Sequence, residues 1–436
     1  MNLNAEYPKV LVISNNCFSK TDSNGRTLGN FFAGWPKDKL AQFYIQNAYP
    51  DFDICDNFFR VTDSQALKSV FGKIRGGRIQ KNDCGNTPAI PVTPPKKRKR
   101  NALTMLARNI IWKIGRWKKS GFDLWADDFC PQAVLLQAGD SSFMFALARK
   151  TAEKYSVPLF IYNSEGYYFK NFDYFRAKGT AHLFYPIFRA DFCREFRKTQ
   201  KSAAFNFYLC NGLKKAYDKE FGTPSAVIYT STALKPLGNT PLHGGFTVSY
   251  LGNLGVGRHE GLIEIANALQ SISENYYLDV YGKIPDESVK SAFDGCKGIR
   301  YRGFLSYNEV IEVMKNSDLL VHTESFSEFY KEDLKFAFST KIADSLASGK
   351  CFLLFAPETV ESYKYLEENQ LAYTVNSPKK LQKTLQLLSS SQKAREKYTE
   401  NALKAVELNH SLEKNRKYFI NIISKTVGET DEGSSD

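Results

Sequence analysis

The stretch Ser339-Thr340-Lys341-Ile342-Ala343-Asp344, closed by Gly349 and followed by the apolar run Cys351–Phe355, has residue types suited to a phosphorylated ligand. Ser339 and Thr340 are good N-cap types, so the spacing predicts a helix opening there. The first amides of a helix lack intrahelical partners and sit at the positive end of its dipole, which suits a phosphate. Lys341 adds a formal positive charge. Asp344 stands about one turn further on and could accept from a sugar hydroxyl. Gly349 predicts the helix stop, and 351–355 reads as a parallel strand covered on both faces.

A second group runs Tyr250-Leu251-Gly252-Asn253-Leu254-Gly255-Val256-Gly257-Arg258-His259-Glu260-Gly261. It follows a predicted strand and precedes a predicted helix, where phosphate-cradling loops occur. Gly255 and Gly257 would let the backbone approach a diphosphate closely. Arg258 could fork onto two phosphate oxygens. The strict GxGxxG spacing is absent, which disfavours a nicotinamide site. A Gly-rich turn with a solvated Arg is the plain alternative.

These segments resemble the nucleotide-sugar site of GT-B glycosyltransferases, especially the retaining family 4 group, whose members carry variants of "K-x-x-E-x-(L/M)-A-x-G-x-P-V". The resemblance is stronger over 246–375 than over 1–232. It implies transfer of a sugar from a nucleotide-diphosphate donor to an acceptor hydroxyl, with retention and no essential metal. The acceptor would be a lipid-linked or polysaccharide precursor, and no cofactor beyond the donor is expected. Asp344 aligns with a ribose-binding glutamate. The usual partner glutamate eight residues earlier is missing, because Phe336 stands there. Glu324 and Glu328 follow the strand where it would lie, and Phe329–Phe338 reads as an insertion. Family members place a Lys before the closing Gly of the first loop. Here that residue is Glu260, and Lys341 could replace the missing cation. Gly282 and the Arg302–Leu305 segment, with Phe304 and Leu305, would bracket the base, although Phe304 could equally be core. In the first half, Gly25 resembles the glycine of a loop reaching donor or acceptor, and a surface turn is as plausible. Asp140 and Glu165, at predicted strand ends, are the candidates for touching the acceptor hydroxyl.

The elements that must position these residues alternate. Strand 133–137, helix 142–155 and strand 158–162 form a βαβ unit. From 246 the alternation is regular: strands at 246–251, 277–281, 299–302, 318–322, 351–355 and 371–375 are separated by helices. The expected fold is α/β: GT-B, two doubly wound Rossmann-like domains facing a cleft, the resemblance adding a C-terminal helix that crosses back. The expected bounds are 1–232 for the acceptor-side domain, with a basic insertion at 72–120, and 233–245 for a linker. The nucleotide-sugar domain follows at 246–400, a crossover helix at 401–425 and a disordered acidic tail at 426–436.

With 436 residues, 43% hydrophobic and 24% charged, the chain is globular and long enough for two or three cores. Its eight cysteines are scattered without CxxC spacing, so no zinc site or disulfide framework is expected and reduced cytosolic thiols are the simplest reading. Val10–Ile13 is too short for a signal-peptide core, and no window reaches a membrane span. Asp51-Phe52-Asp53 spells the DxD pattern of metal-bound diphosphates, but the regular second half argues against that fold and no metal site is expected.

Ten Lys/Arg fall between Lys96 and Lys119 without one Asp or Glu, and they account for all but three of the net charge of +13. Leu103, Leu106, Ile110, Ile111, Ile114 and Trp117 fall near helical spacing among them. Segment 96–119 therefore reads as a helix lying in an anionic membrane interface, with a core-facing helix as the alternative. Nucleic acid is not an expected partner, since no helix-turn-helix or RNA-binding signature accompanies the patch. The chain is expected in the cytoplasm, at the inner face of the membrane. A GT-B-fold sugar-nucleotide epimerase and a non-enzymatic basic scaffold are the competing functional readings.

Overall fold

The computed structural model describes residues 7–20, 23–73, 76–81, 100–176, 179–238 and 245–433. The chain divides into two α/β units, Met1–Tyr229 with Asn415–Asp436, and Thr230–Lys414.

The first unit is built on β1 (Val10–Ser14), β2 (Leu40–Tyr44), β3 (Phe58–Arg60), β4 (Gly77–Ile79), β5 (Ala133–Gln137), β6 (Leu159–Asn163), β7 (Ala203–Tyr208) and β8 (Ser225–Val227). Their order is β4-β3-β2-β1-β5-β6-β7-β8. All neighbours are parallel except β3 and β4. β1, β5 and β6 are buried at every position, as strands covered on both faces must be, and so they read as apolar runs.

The second unit carries β9 (Val248–Leu251), β10 (Leu278–Tyr281), β11 (Ile299–Gly303), β12 (Leu319–Thr323), β13 (Cys351–Phe355) and β14 (Tyr373–Val375). The order is β11-β10-β9-β12-β13-β14, with every pairing parallel. Each sheet reverses its strand order once, at β1/β5 and at β9/β12. Connecting loops diverge at such a point and leave a crevice beyond the strand ends.

Three expectations need correction. The tail is not disordered from 426, because the helix Leu412–Gly433 runs through it. Phe419, Ile420, Ile423 and Val427 recur at helical spacing and are buried in the first unit's core, where Phe419 stacks on Phe31 at 5.1 Å. That burial outweighs the polar composition of the tail. The expected crossover helix at 401–425 is not one helix, since Thr399–Ala405 and a π-helical turn at Val406–His410 precede the last helix. The boundary between units falls at Tyr229/Thr230, before the expected linker at 233–245, of which 239–244 lie outside the described residues.

The basic segment also differs. Lys96–Lys99 lie outside the described residues. The helix spans Ala102–Ile114 and begins at an Asn101 capping box, and a separate 3-10 turn covers Trp117–Ser120. Trp117 does not face a membrane. It is buried against Phe43, Trp112 and Phe122, and its indole N–H donates to the Trp112 carbonyl at 3.0 Å. Trp112 stacks on Phe143 at 4.5 Å.

Trp117→Ala should therefore cost the fold about 3–5 kcal/mol, the range for removing a large buried aromatic. Denaturant unfolding checks this. A stability change under 1 kcal/mol would contradict the buried placement (about the size expected of a surface site).

Candidate functional site

The crevice at β9/β12 gathers most of the second unit's candidates. The loop Gly252–Gly257 leaves β9 and enters the helix Arg258–Ile272. Two successive residues there have left-handed backbone, Val256 at φ 60° and Gly257 at φ 71°. A β-branched residue in that region is strained, and such strain gathers where a backbone must be held for a ligand. Gly257 is required twice over. A Cβ there would stand 2.6 Å from the Ser325 hydroxyl and 2.8 Å from the Tyr330 ring. Gly282, after β10, is packed as tightly, and a Cβ would meet the Gly252 carbonyl at 2.1 Å.

Arg258 does not wave in solvent. Its guanidinium donates to Glu324 Oε1 at 3.0 Å and to the Gly255 carbonyl at 3.4 Å, and it forms an ion pair with Glu324 Oε2 at 2.8 Å. Glu324 is fully buried at the end of β12 and is also bonded to His322 Nε2 at 3.1 Å. His322 stacks against Tyr250, whose hydroxyl donates to the Asn253 carbonyl at 2.6 Å. Burial pushes the Glu324 carboxyl up, but Arg258 and the His322 hydrogen bond outweigh it and hold the group below its ordinary value. Glu324 thus orients Arg258, and the nucleotide-contacting role expected for it does not fit its burial. Glu328 is exposed and pairs with Lys331.

His259 was passed over in the sequence. Its Nδ1 is buried and has no hydrogen-bond partner among the described residues. The signal available was its place in the second position of a helix that opens on a glycine loop.

Lys341 opens the helix Lys341–Ala347, where its amide donates to the Ser339 hydroxyl at 3.3 Å. Thr340 is the N-cap but makes no side-chain cap bond, and Asp344 is buried in the same short helix. Tyr330, in the stretch that reads as an insertion, is the residue packed against Gly257. Phe304 is 67% exposed beyond β11, with the Lys283 ammonium 4.7 Å from its ring centroid, so it is not a core residue. Leu305 beside it is half-buried.

The first unit has a matching crevice at β1/β5. Asn163 at the end of β6 is buried with both amide atoms unpartnered among the described residues. Gln137 Oε1 at the end of β5 and Asn15 Oδ1 just past β1 are likewise unpartnered. Buried amides are usually satisfied, so three at one end of one sheet mark a place where a hydroxylated ligand would complete them. Sequence reasoning missed all three. Their signal is an amide closing an otherwise apolar strand.

The expected residues fare differently. Asp140 is buried, ion-paired to Arg100, and accepts from the Tyr174 hydroxyl at 3.2 Å, so its carboxylate is occupied within the fold. Glu165 is exposed beyond β6, and its carbonyl accepts from Tyr217 at 3.4 Å. Gly25 lies inside the helix Ser23–Phe32 rather than on a mobile loop, and a Cβ there would meet the Cys17 carbonyl at 2.3 Å. In the DxD spelling, Lys20 pairs with exposed Asp53 and stands 3.7 Å from the largely buried Asp51.

Residues 258–421 match the family model described as glycosyl transferase-like, a segment that begins at Arg258. No curated protein matches the chain. Among solved structures the chain is similar to Anabaena HepE in complex with UDP, at 10% identity and a TM-score of 0.63, covering 96% of this chain and 100% of that one. Sucrose-phosphate synthase from Thermosynechococcus elongatus gives 10% identity and a TM-score of 0.61, with 96% and 99% covered. WaaG, a glycosyltransferase involved in lipopolysaccharide biosynthesis, gives 12% and 0.57, with 95% and 99% covered. At these identities the likeness establishes the fold. It is GT-B, two α/β units with parallel sheets, as the sequence predicts.

Glu324→Ala should cost about 3–5 kcal/mol, because it strands Arg258 and His322 in a buried setting. Glu324→Gln keeps the shape and isolates the charge. A carboxyl held below its ordinary 4.5 stabilises above that pH and loses the contribution as pH falls through the lower folded value. Thermal unfolding from about pH 7 down to about pH 3 should show a shallower acid loss in the Gln variant than in the parent. Identical acid limbs would refute the ion pair.

Proposed function

We propose that the chain is a glycosyltransferase that moves a sugar from a nucleotide-diphosphate donor to an acceptor hydroxyl. The observation that carries the reading is Arg258, held by buried Glu324 at the mouth of a strained glycine loop where the glycosyl transferase-like match begins. As the bond from the sugar to the diphosphate breaks, negative charge builds on the departing phosphate. A cation already oriented in a dry setting stabilises that charge without reorganising. Lys341 supplies a second positive charge, Asp344 the ribose contact, and Phe304 an aromatic face for the base.

HepE has been crystallised with UDP and with UDP-glucose, which supports a uridine diphosphate sugar as donor here. The strand-end amides Asn163 and Gln137, with Glu165 nearby, would take the acceptor. WaaG's involvement in lipopolysaccharide biosynthesis supports a lipid-linked or polysaccharide acceptor and a place at the inner face of the membrane. Among the described residues no helix is long and apolar enough to cross a membrane, so attachment would be peripheral. Retention of configuration follows from the family 4 resemblance.

Thermal stabilisation by UDP and UDP-sugars tests donor binding. Arg258→Ala and Lys341→Ala should each weaken it by about 1.5–3 kcal/mol, the range for hydrogen bonds to charged groups. Parent-like binding in both variants would place the diphosphate elsewhere. Epimerisation of the nucleotide sugar in the absence of any acceptor would favour the epimerase reading.

Transfer should also proceed with EDTA present, since positive charge for the diphosphate comes from Arg258 and Lys341, and Asp51 and Asp53 are engaged by Lys20. Loss of activity on chelation, restored by manganese, would overturn this.

A further inference from the structure

The helix Ala102–Ile114 is inside out by the usual rule, which turns a surface helix's charged residues to water. Its charged side chains reach sideways instead. Arg108 pairs with Asp63 at 2.8 Å and donates to the Ser141 hydroxyl at 2.6 Å. Lys113 pairs with Asp191 at 2.7 Å. An aliphatic stripe faces outward, Leu103 at 45% exposed, Ile110 at 54% and Ile114 at 60%, with Thr104 exposed beside it.

The neighbouring helix Tyr185–Ser202 repeats the arrangement. It packs on the first through Met105, Tyr185 and Phe188. Leu183, in the turn leading into it, is 63% exposed and Ile187 is 59% exposed. One or two exposed apolar residues are ordinary, but five bulky aliphatics on two packed helices and the turn leading into the second mark an interaction surface.

The surrounding charge identifies the partner. Beyond its apolar first turns the second helix exposes Arg194, Arg197, Lys198 and Lys201. Its only carboxylates, Asp191 and Glu195, are both paired with cations. The first helix and the turn after it contain no acid, and Arg116 and Lys119 there are exposed. An aliphatic centre ringed by cations is the chemistry of an anionic bilayer interface, where side chains enter the acyl boundary while cations meet phosphate headgroups.

We infer that this face of the first unit seats on an anionic lipid bilayer, with Leu103, Ile110, Ile114, Leu183 and Ile187 inserted. Trp117, buried behind the helix, takes no part. The inference rests on the proposed membrane-side function for its biological setting, but lipid and donor binding are read separately, so either can fail alone.

The test is sedimentation of the full chain with vesicles of phosphatidylglycerol and phosphatidylcholine, alongside UDP binding as a control for the second unit. The parent should sediment with these vesicles and not with phosphatidylcholine alone. Ile110→Ser with Ile114→Ser should weaken sedimentation by about tenfold or more at any salt concentration. Arg194→Gln, Lys198→Gln and Lys201→Gln should weaken it mainly at low salt, where exposed charges act furthest. Should the serine variant fail to fold, Ile110→Trp in an otherwise unchanged chain gives an independent readout. Its added fluorescence should be quenched by brominated lipid. Failure of the parent to sediment, parent-like sedimentation by the serine variant, or absence of quenching would each overturn the inference. So would a concentration-dependent dimer, lost in the serine variant and without vesicle binding, which would assign the face to a second copy of the chain.

Discussion

Parallel strands cannot be joined by short hairpins, and most of what this chain does follows from that constraint. Each crossover must travel over a face of the sheet, so both faces are covered and the strands become apolar throughout. The crossovers after β1 and β5, and after β9 and β12, then run to opposite faces. The end of the sheet between them is left unroofed. Side chains placed there close the strand ends and are buried, Glu324 fully and Asn163 nearly so. That is where Asn15, Gln137 and Asn163 stand in one unit, and where Glu324 and the Gly252–Gly257 loop stand in the other.

Within the second unit the Arg258–Glu324 pair turns that geometry into chemistry. An isolated buried carboxylate would be neutralised by protonation. Arg258 and His322 keep this one charged, and it in turn fixes the direction of the guanidinium. The pair requires close approach of two loops, which explains the glycine at 257 against Ser325 and Tyr330. Strain at Val256 and burial of Glu324 are thus two parts of one arrangement. Each holds the loop in a form that a free Gly-rich turn would visit only rarely.

The sequence made the second unit legible because its signals are local. Apolar runs of strand length, capping residues and glycine stops fell at nearly regular intervals, and the observed strands begin and end within a residue or two of their expected places. The helix Tyr307–Lys315 opens on a Ser306 capping box, a signal of this local kind. The first unit was harder to read. β7 and the helices Tyr185–Ser202 and Asn211–Phe221 escaped notice, since Phe and Tyr recur there without clean periodicity. The aromatic contacts of Phe196 with Tyr168 and Tyr217 that organise this region join positions far apart in sequence. At the sites, residue type was visible but pairing was not. Glu324 looked like a ligand group and proved a buried partner, and Asp140 was already bound by Arg100.

The basic segment shows most sharply why counting charges differs from placing them. Ten cations without an acid, within one stretch of sequence, suggest an unmet demand for an anionic partner. In the fold, Arg100, Arg108 and Lys113 meet Asp140, Asp63 and Asp191, none of them nearby in the chain. Those pairs rotate the helix so that its charges lie between neighbours and its aliphatic residues face out. The apolar periodicity is present in the helix, but the six positions that carry it do not share one face. Trp117 belongs to the aromatic core, and the outward stripe is Leu103, Ile110 and Ile114. Had the cations stayed unpaired, they would have competed with that stripe for the outward direction. Internal pairing turns Arg108 and Lys113 toward neighbouring carboxylates and leaves Leu103, Ile110 and Ile114 exposed.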